Sequence, residues 1–390
     1  MASTTHIVGW AHTTFGRKPE DDVESLVAQV AGAALEDAGL EPDDIDAIFV
    51  GVYNNGFSQQ GFEAGLVGAG TPALAGVPAT RMENACATGS AALFGALDRI
   101  EAGRARTALV IGAEKMTSTP PADVNSILLS ASHRRTEESA GSFAGIFAGL
   151  ADQYAERYGD PRDTMALIAA KNHHNGVANP YAHMRKDLGF EFCATESGRN
   201  PAVAGRMLRT DCSMVSDGAA ALVVTDDEVA STAKRAISFR GRAQANDHLA
   251  VAARPDPLAF DGAASAFRQA LLEAGVTLED LDLLETHDCF TIAELLQMEA
   301  FGIAEPGKAA DVVGSGATLR DGWLPVNVSG GLKAKGHPLG ATGVSQHVMA
   351  AMQLAGEAGD MQLESPRRAA VFNMGGAAVA NYASILERTR

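Results

Sequence analysis

Leu35-Glu36-Asp37-Ala38-Gly39-Leu40-Glu41-Pro42-Asp43-Asp44-Ile45-Asp46 runs into an apolar stretch that ends at Tyr53. The pattern returns far downstream as Leu272-Glu273-Ala274-Gly275-Val276-Thr277-Leu278-Glu279-Asp280-Leu281-Asp282. Each copy reads as the end of an amphipathic helix closed by glycine, then an acidic turn, then a buried strand. Two more matches follow in the same order: Ala87-Thr88-Gly89 with Ala341-Thr342-Gly343, and the apolar runs Ala108–Gly112 with Ala369–Asn373. Short matches mean little singly, but their collinearity predicts a duplicated unit.

Around the first copy the chain alternates strand and helix. His6–Trp10, Ile45–Tyr53 and Thr107–Gly112 read as strands, separated by helices over Asp22–Leu40 and from Cys86 to about Glu101. That alternation predicts a mainly parallel sheet covered on both faces. From Met116 to about Met207 the periodicity breaks, with Pro120-Pro121, His173-His174 and Asn179-Pro180-Tyr181 interrupting shorter helical runs such as Phe143–Tyr158, as expected of an insertion or lid. Ser216–Val224 resumes as a turn into a central strand, and a second regular half begins near Phe239. The expected division is residues 1–115 plus 207–235 as one half, 116–206 as an inserted loop domain and 236–390 as the second half.

The 390 residues, 46% hydrophobic and 20% charged, can bury a large core and argue against extensive disorder. A formal charge of −17 counts against a broad nucleic-acid or anionic-membrane surface, which needs clustered Lys and Arg. Four cysteines without a CxxC pair give neither a disulfide framework nor a zinc knuckle, so reduced thiols are expected. Met1–Lys18 lacks a leader pattern, no stretch is long enough to span a bilayer, and Glu387–Arg390 carries no peroxisomal or reticulum address. The expected location is the cytoplasm.

Chemistry gathers at three places. In Asn84-Ala85-Cys86-Ala87-Thr88-Gly89-Ser90 a cysteine stands at a helix start, where unpaired N–H groups can lower a thiol pKa. Gly330-Gly331-Leu332-Lys333-Ala334-Lys335-Gly336-His337-Pro338-Leu339-Gly340 brings a histidine on a glycine-rich loop. Thr286-His287-Asp288-Cys289-Phe290 adds a second imidazole and a second thiol. Each has an ordinary reading as well: a small buried hydrophobe for the cysteines, a packed or exposed loop imidazole for the histidines. Together they supply a nucleophile, its base and a second acid/base, the set acyl transfer requires. A zinc site built from the same residues is the rival chemistry. The glycine loop lacks the spacing of a nucleotide-phosphate cradle, and Lys333 and Lys335 read as solvated charges. His173, His174 and His183 read as facing solvent or stacking locally, and Cys193 and Cys212 as structural.

These motifs, with Asn327-Val328-Ser329-Gly330-Gly331, Gly336-His337-Pro338-Leu339-Gly340-Ala341-Thr342-Gly343 and Asn373-Met374-Gly375-Gly376, make the chain resemble the thiolase superfamily over its whole length. Within it the His-Asp-Cys-Phe segment is similar to the sterol-carrier-protein type and the archaeal acetoacetyl-CoA thiolases. The resemblance implies an α/β fold of two αβαβα halves, each on a five-stranded mixed sheet, with an inserted loop domain. It implies CoA-dependent cleavage of a 3-oxoacyl-CoA, or the reverse Claisen condensation, in lipid metabolism. Carried over, Cys86 is the nucleophile, His337 its base, His287 an enolate stabiliser and Cys289 the second acid/base, while the N–H groups of Cys86 and Gly376 form an oxyanion hole. In many thiolases a cysteine near the C-terminus serves as that second acid/base; here Asn373 stands at that position. CoA and acyl-CoA are expected as substrates, with no cofactor and no metal. The expected assembly is a homodimer or homotetramer, with a small OB-fold protein as a possible partner and neither nucleic acid nor membrane. A ketoacyl-synthase-like condensing enzyme and a non-catalytic acyl-CoA-binding subunit are the alternatives.

Overall fold

The repeat announces itself through helix ends. Asp22 caps the Val23–Ala38 helix by accepting from Ser25 N at 2.8 Å, and Gly39 closes it in the left-handed region at φ 70°. The Asp261–Ala274 helix ends the same way at Gly275, φ 68°, a conformation glycine adopts without the Cβ penalty. After each glycine comes a short 3₁₀ turn, Pro42–Asp44 or Leu278–Asp280, and then a buried strand.

In the computed structural model, which describes residues 5–390, eleven strands are assigned: β1 (His6–His12), β2 (Ala47–Gly51), β3 (Ala79–Met82), β4 (Thr107–Glu114), β5 (Ala202–Ala204), β6 (Met207–Leu208), β7 (Gly218–Thr225), β8 (Ile237–Asn246), β9 (Leu283–Glu285), β10 (Arg368–Gly375) and β11 (Ala380–Arg388). Met1–Thr4, part of the N-terminal stretch read above for a leader pattern, lie outside the described residues.

Nine strands join in the order β3-β2-β4-β7-β1-β8-β11-β10-β9, with β5 and β6 paired separately. The order is a repeat read outward from the middle. β1, β7, β4 and β2 correspond to β8, β11, β10 and β9, and the partner of β3 is reduced to Val326, bridged to Leu284 beside β9. The second half therefore has four assigned strands and one bridged residue in the fifth place. The two halves meet where β1 pairs with β8 through only His6–Ser238 and Ile7–Ile237.

The sheet is mixed, which corrects the mainly parallel expectation drawn from strand–helix alternation. β2 is parallel to β3 and β4, and β9 to β10, but β4–β7, β1–β7, β1–β8, β8–β11 and β10–β11 are antiparallel. The reason is connectivity. β10 and β11 are joined by a turn too short for a crossover helix, and the long insertion delivers β7 back beside β4 in the opposite sense.

Two helices form the central layer. Thr88–Glu101 and Leu339–Ala355 share one hydrophobic cluster with Val110 and Leu222 of the first half and Ala369, Val371 and Leu386 of the second. The second of these helices is buried along its length from Leu339 to Leu354; it carries no charged residue, and its buried polar side chains are hydrogen-bonded, as Gln346 is to Phe372 O and Gln353 to Met361 O. Burying each of Leu93, Leu97 and Val348 contributes about 1.5–3 kcal/mol. Val23–Ala38 covers the outer face of the first half, and Asp261–Ala274 packs on β8 and β11 of the second. The glycines matched by the repeat stand face to face: a Cβ on Gly89 would lie 2.8 Å from Gly340 O, and one on Gly343 would lie 2.4 Å from Ser90 N. Only hydrogen at these positions lets the two helix starts approach so closely.

Candidate active site

Cys86 stands in a tight turn between β3 and the Thr88–Glu101 helix. Ala85, just before it, has φ 50°, a left-handed conformation that costs a residue with a Cβ about 1–2 kcal/mol. Local bonds hold the turn: Asn84 N donates to Thr88 Oγ1 at 2.8 Å, Ala87 N to Asn84 O at 3.1 Å and Thr88 N to Ala85 O at 3.1 Å. Asn84 Nδ2 also donates to Tyr382 OH on β11 at 2.8 Å, which ties the turn to the second half. The backbone N–H groups of Cys86 itself and of Gly376 approach the sulfur.

The thiol is not the thiolate expected of a helix start. Burial, with Glu114 and Glu83 as nearby negative charges, pushes Cys86 up to about 12 despite those two N–H groups. The helix proper begins two residues later, at Thr88, so the sulfur gains little from its dipole while losing water. Burial likewise raises Cys193 to about 11 and Cys212 to about 12, and lifts Cys289 well above the ordinary thiol range. A thiol in this state would act as a nucleophile only with a base beside it.

His337 brings an imidazole nitrogen within 4.8 Å of the Cys86 sulfur. Gly336, at φ 110°, turns the chain where a Cβ would lie 2.6 Å from Ser216 Oγ, and His337 N donates to Met214 O at 3.2 Å. The Thr342 hydroxyl donates to Pro338 O at 2.9 Å and so accepts from His337 Nδ1 at 2.7 Å. Nδ1 then carries the proton, and Nε2, which has no hydrogen-bond partner, keeps its lone pair. Burial, and then the nearby Lys335 ammonium, lower His337 to about 3, so the ring is neutral at physiological pH.

His287, Asp288 and Cys289 follow β9 on a buried loop. Gln297 clamps its backbone, accepting from His287 N at 3.2 Å and donating to His287 O at 2.8 Å. The Asp288 carboxylate accepts from Leu332 N at 2.6 Å, Lys333 N at 3.1 Å and Asn172 Nδ2 at 2.8 Å, fastening this loop to the one that carries His337. The His287 and His337 rings meet edge to face with centroids 5.0 Å apart. Cys86, His287 and His337 each bring a ligand-type atom to within 4.8 Å of the others, a cluster whose N and S atoms are of the kind zinc accepts. A cavity of about 220 Å3 opens on Cys86, Cys289 and His337, walled by Leu128, Phe143 and Phe290.

The structure thus brings together Cys86, His287, Cys289, His337 and Gly376. Two expectations for neighbouring residues fail. Lys333 and Lys335 are buried rather than solvated; Lys335 Nζ donates to Ser345 Oγ at 2.8 Å, and burial lowers its pKa to about 8 against the pull of Glu285 and Asp288. His173 is buried with neither ring nitrogen hydrogen-bonded, whereas His174 is exposed beside Asp187 and His183 bonds Ser216 Oγ at 2.9 Å. Of the two cysteines read as structural, Cys212 lines the cavity and Cys193 packs in a small cluster with Ala166 and Ala169. Sequence reasoning gave no role to Asn373, whose amide contacts both His287 and Cys86, or to Thr342, which orients His337. Thr342 had a signal, lying in the first turn of the helix that follows the histidine.

The description "Thiolase, N-terminal domain" matches residues 5–192 and "Thiolase C-terminal domain-like" matches residues 243–388. The chain is 34% identical over 373 residues to an acetyl-CoA acetyltransferase of Methanothermobacter thermautotrophicus, covering 95% of this chain and 96% of that one. It is 32% identical to human sterol carrier protein 2 over 95% of this chain and 69% of that protein. In fold it is similar to a solved Ltp2-ChsH2(DUF35) aldolase, with a TM-score of 0.84 at 20% identity over 99% of this chain and 98% of that one. It is also similar to human mitochondrial 3-ketoacyl-CoA thiolase in complex with CoA, with a TM-score of 0.74 at 18% identity over 100% and 99% of the two chains.

Proposed function

The chain belongs to the thiolase family, and from that premise we propose that it cleaves 3-oxoacyl-CoA with CoA, or runs the reverse Claisen condensation, through an acyl group carried on Cys86. The observation that carries this reading is one neutral thiol within 4.8 Å of two imidazoles whose Nε2 atoms are both unpartnered, with a second thiol lining the same cavity as Cys86 and His337.

In the cleavage direction Cys86 Sγ bonds to the 3-keto carbon as His337 Nε2 takes its proton, so charge separates only as the bond forms. The oxyanion lies toward the N–H groups of Cys86 and Gly376. The bond between C2 and C3 then breaks, leaving the acyl group on sulfur and the electron pair on an acetyl-CoA enolate. His287 and the now protonated His337 hold the enolate oxygen, and Cys289 gives C2 its proton. Free CoA, whose thiol proton restores Cys289, attacks the acyl-sulfur carbon, and the proton on His337 returns to Cys86. Atoms and charges balance without a cofactor, CoA and acyl-CoA being substrates.

The same proposal covers the surroundings. Residues 1–115 with 207–235 form one half and 236–390 the other. Residues 116–206 act as a lid, consistent with Met116, Asn125, Phe143 and Val203 lining the cavity. β3 ends the sheet order, a free edge suited to pairing with a second copy in a homodimer or tetramer. A small OB-fold partner is in keeping with the aldolase of similar fold, whose name pairs it with a DUF35 protein. Among the described residues no helix is long and apolar enough to cross a membrane, and we place the protein in the cytoplasm.

The test is CoA-dependent loss of acetoacetyl-CoA with formation of acetyl-CoA. In Cys289→Ala, acylation of Cys86 should survive while exchange of the acetyl methyl protons with solvent deuterium falls steeply. Malonyl-dependent condensation indifferent to that substitution, with no thiolytic cleavage, would assign the chain instead to decarboxylative chemistry.

A further inference from the structure

The two imidazoles at Cys86 look interchangeable by position, yet their hydrogen bonds differ in kind. His337 Nδ1 faces a hydroxyl oxygen whose own proton is committed to Pro338 O, so it donates. His287 Nδ1 faces the Asn373 amide nitrogen at 2.8 Å, and that nitrogen lies 3.2 Å from the Cys86 carbonyl oxygen. A carbonyl oxygen can only accept, so the side of Asn373 turned toward Cys86 must be its NH2. Reversing the amide would turn its oxygen on the Cys86 carbonyl oxygen and strip that carbonyl of this donor, a loss the observed orientation avoids while leaving Asn373 Oδ1 as the buried atom without a partner. One Asn373 N–H therefore goes to Cys86 O and the other to His287 Nδ1. A ring nitrogen that accepts a hydrogen bond carries no proton, so in neutral His287 the proton is on Nε2. That atom is buried and without a protein partner.

From this we infer that Asn373 is a positioning residue that sets the tautomer of His287 and makes the two histidines chemical opposites: His337 presents a lone pair to the site, and His287 presents an N–H. The catalytic consequence rests on the acyl-transfer reading above; the tautomer itself rests on geometry alone. A fixed N–H at His287 is already oriented for the oxygen of an enolate and cannot compete with His337 for the Cys86 proton. It also bears on the cluster's likeness to a zinc site, since a metal-binding imidazole nitrogen must be bare and its other nitrogen normally donates to an acceptor. Asn373 imposes the reverse arrangement.

The experiment is nitrogen NMR of the full-length protein labelled in its histidines, with His287 assigned by substitution, on the parent chain, Asn373→Asp and Asn373→Ala. In the parent, His287 Nε2 should resonate as protonated and Nδ1 as bare, with His337 the other way round. In Asn373→Asp, nearly the same size, the carboxylate accepts from Nδ1, so the His287 pattern should invert or become that of an imidazolium. Solvent deuterium exchange into acetyl-CoA should fall by about 100-fold or more, the loss expected for one oxyanion donor. Because Asn373→Asp also removes the donor to Cys86 O, acylation of Cys86 is measured alongside, and the His287 nitrogen pattern is the readout that a merely structural role would not move. Asn373→Ala, which imposes no tautomer, should show a mixture and an intermediate loss. A parent His287 protonated on Nδ1, or an Asn373→Asp protein with unchanged tautomer and exchange, overturns the inference. Failure of the parent chain to acylate at all would count against the thiolase reading and leave the nitrogen spectra to judge the tautomer.

Discussion

Gly343→Ala puts two effects of opposite sign against each other. Gly343 lies within the Leu339–Ala355 helix, where replacing glycine by alanine normally stabilises by about 1 kcal/mol. Here the new Cβ would sit 2.4 Å from Ser90 N and Oγ and 2.5 Å from Asn373 Oδ1, roughly 1 Å inside ordinary contact. Backbone must yield, because Ser90 N belongs to the facing helix. Overpacking of this kind costs about 1–3 kcal/mol, enough to overturn the propensity gain. Moving the Thr88–Glu101 helix start by about 1 Å also shifts Cys86 relative to His337, and misplacement on that scale can slow a reaction about 100-fold. Gly32→Ala is the control, since that exposed helical glycine has nothing within 4 Å of a new Cβ. Thermal denaturation and single-turnover acylation by acetyl-CoA read both effects. Gly32→Ala should be neutral or stabilised with full acylation, and Gly343→Ala destabilised with slowed acylation. A Gly343→Ala protein as stable and as fast as the parent would refute the claim that the glycine contact sets the distance between the two reactive groups.

The two histidines should separate in single-turnover work: His337→Ala should slow Cys86 acylation by more than about 100-fold, whereas His287→Ala should leave acylation measurable and impair enolate formation, and equal loss in both would contradict the division. Iodoacetamide labelling of Cys86 should climb through pH 9 without levelling off, because its thiol is raised to about 12; a plateau below neutral pH would reveal a thiolate–imidazolium pair instead. Stability should fall on mild acidification. His12, His173, His287, His337 and His347 are all buried with pKa values below 6.5, so folding favours their neutral forms; that contribution is complete above pH 6.5 and is lost as pH drops. Glu114 and Asp288, both raised to about 7, work in the other direction and relieve a penalty as they take up protons. Between pH 7 and about 5.5 each histidine loses on the order of 1 kcal/mol and each carboxyl regains a comparable amount, so the five histidines outweigh the two carboxyls and stability falls. Denaturant unfolding at the two pH values measures it, and unchanged or higher stability at the lower pH would show that the carboxyls dominate.

Much of the fold was legible because its markers are local. Gly39 and Gly275 end helices through their own backbone freedom, and the acidic turns after them need no distant partner. Strand direction was not legible, since the antiparallel pairing of β4 with β7 depends on how a long insertion returns. The candidate residues Cys86, His287, Cys289 and His337 stood out by type and by position at element ends, but their protonation did not. Whether Cys86 is a thiol or a thiolate depends on burial beneath residues from both halves, and the burial of Lys335 depends on Ser345 and Glu285, ten and fifty residues away along the chain. Asn373 was visible only as a residue standing where many relatives have cysteine. Its contact with His287 spans 86 positions and leaves no trace in either local sequence.

Mass spectrometry of the intact protein and of its peptides, after brief exposure to acetyl-CoA and then to free CoA, tests the assignment of Cys86 most directly. A single acetyl group on the Cys86 peptide, discharged by CoA and missing in Cys86→Ala, is the expected result. Acetylation of Cys212 or Cys289 in its place, or an adduct that persists in Cys86→Ala, would contradict it.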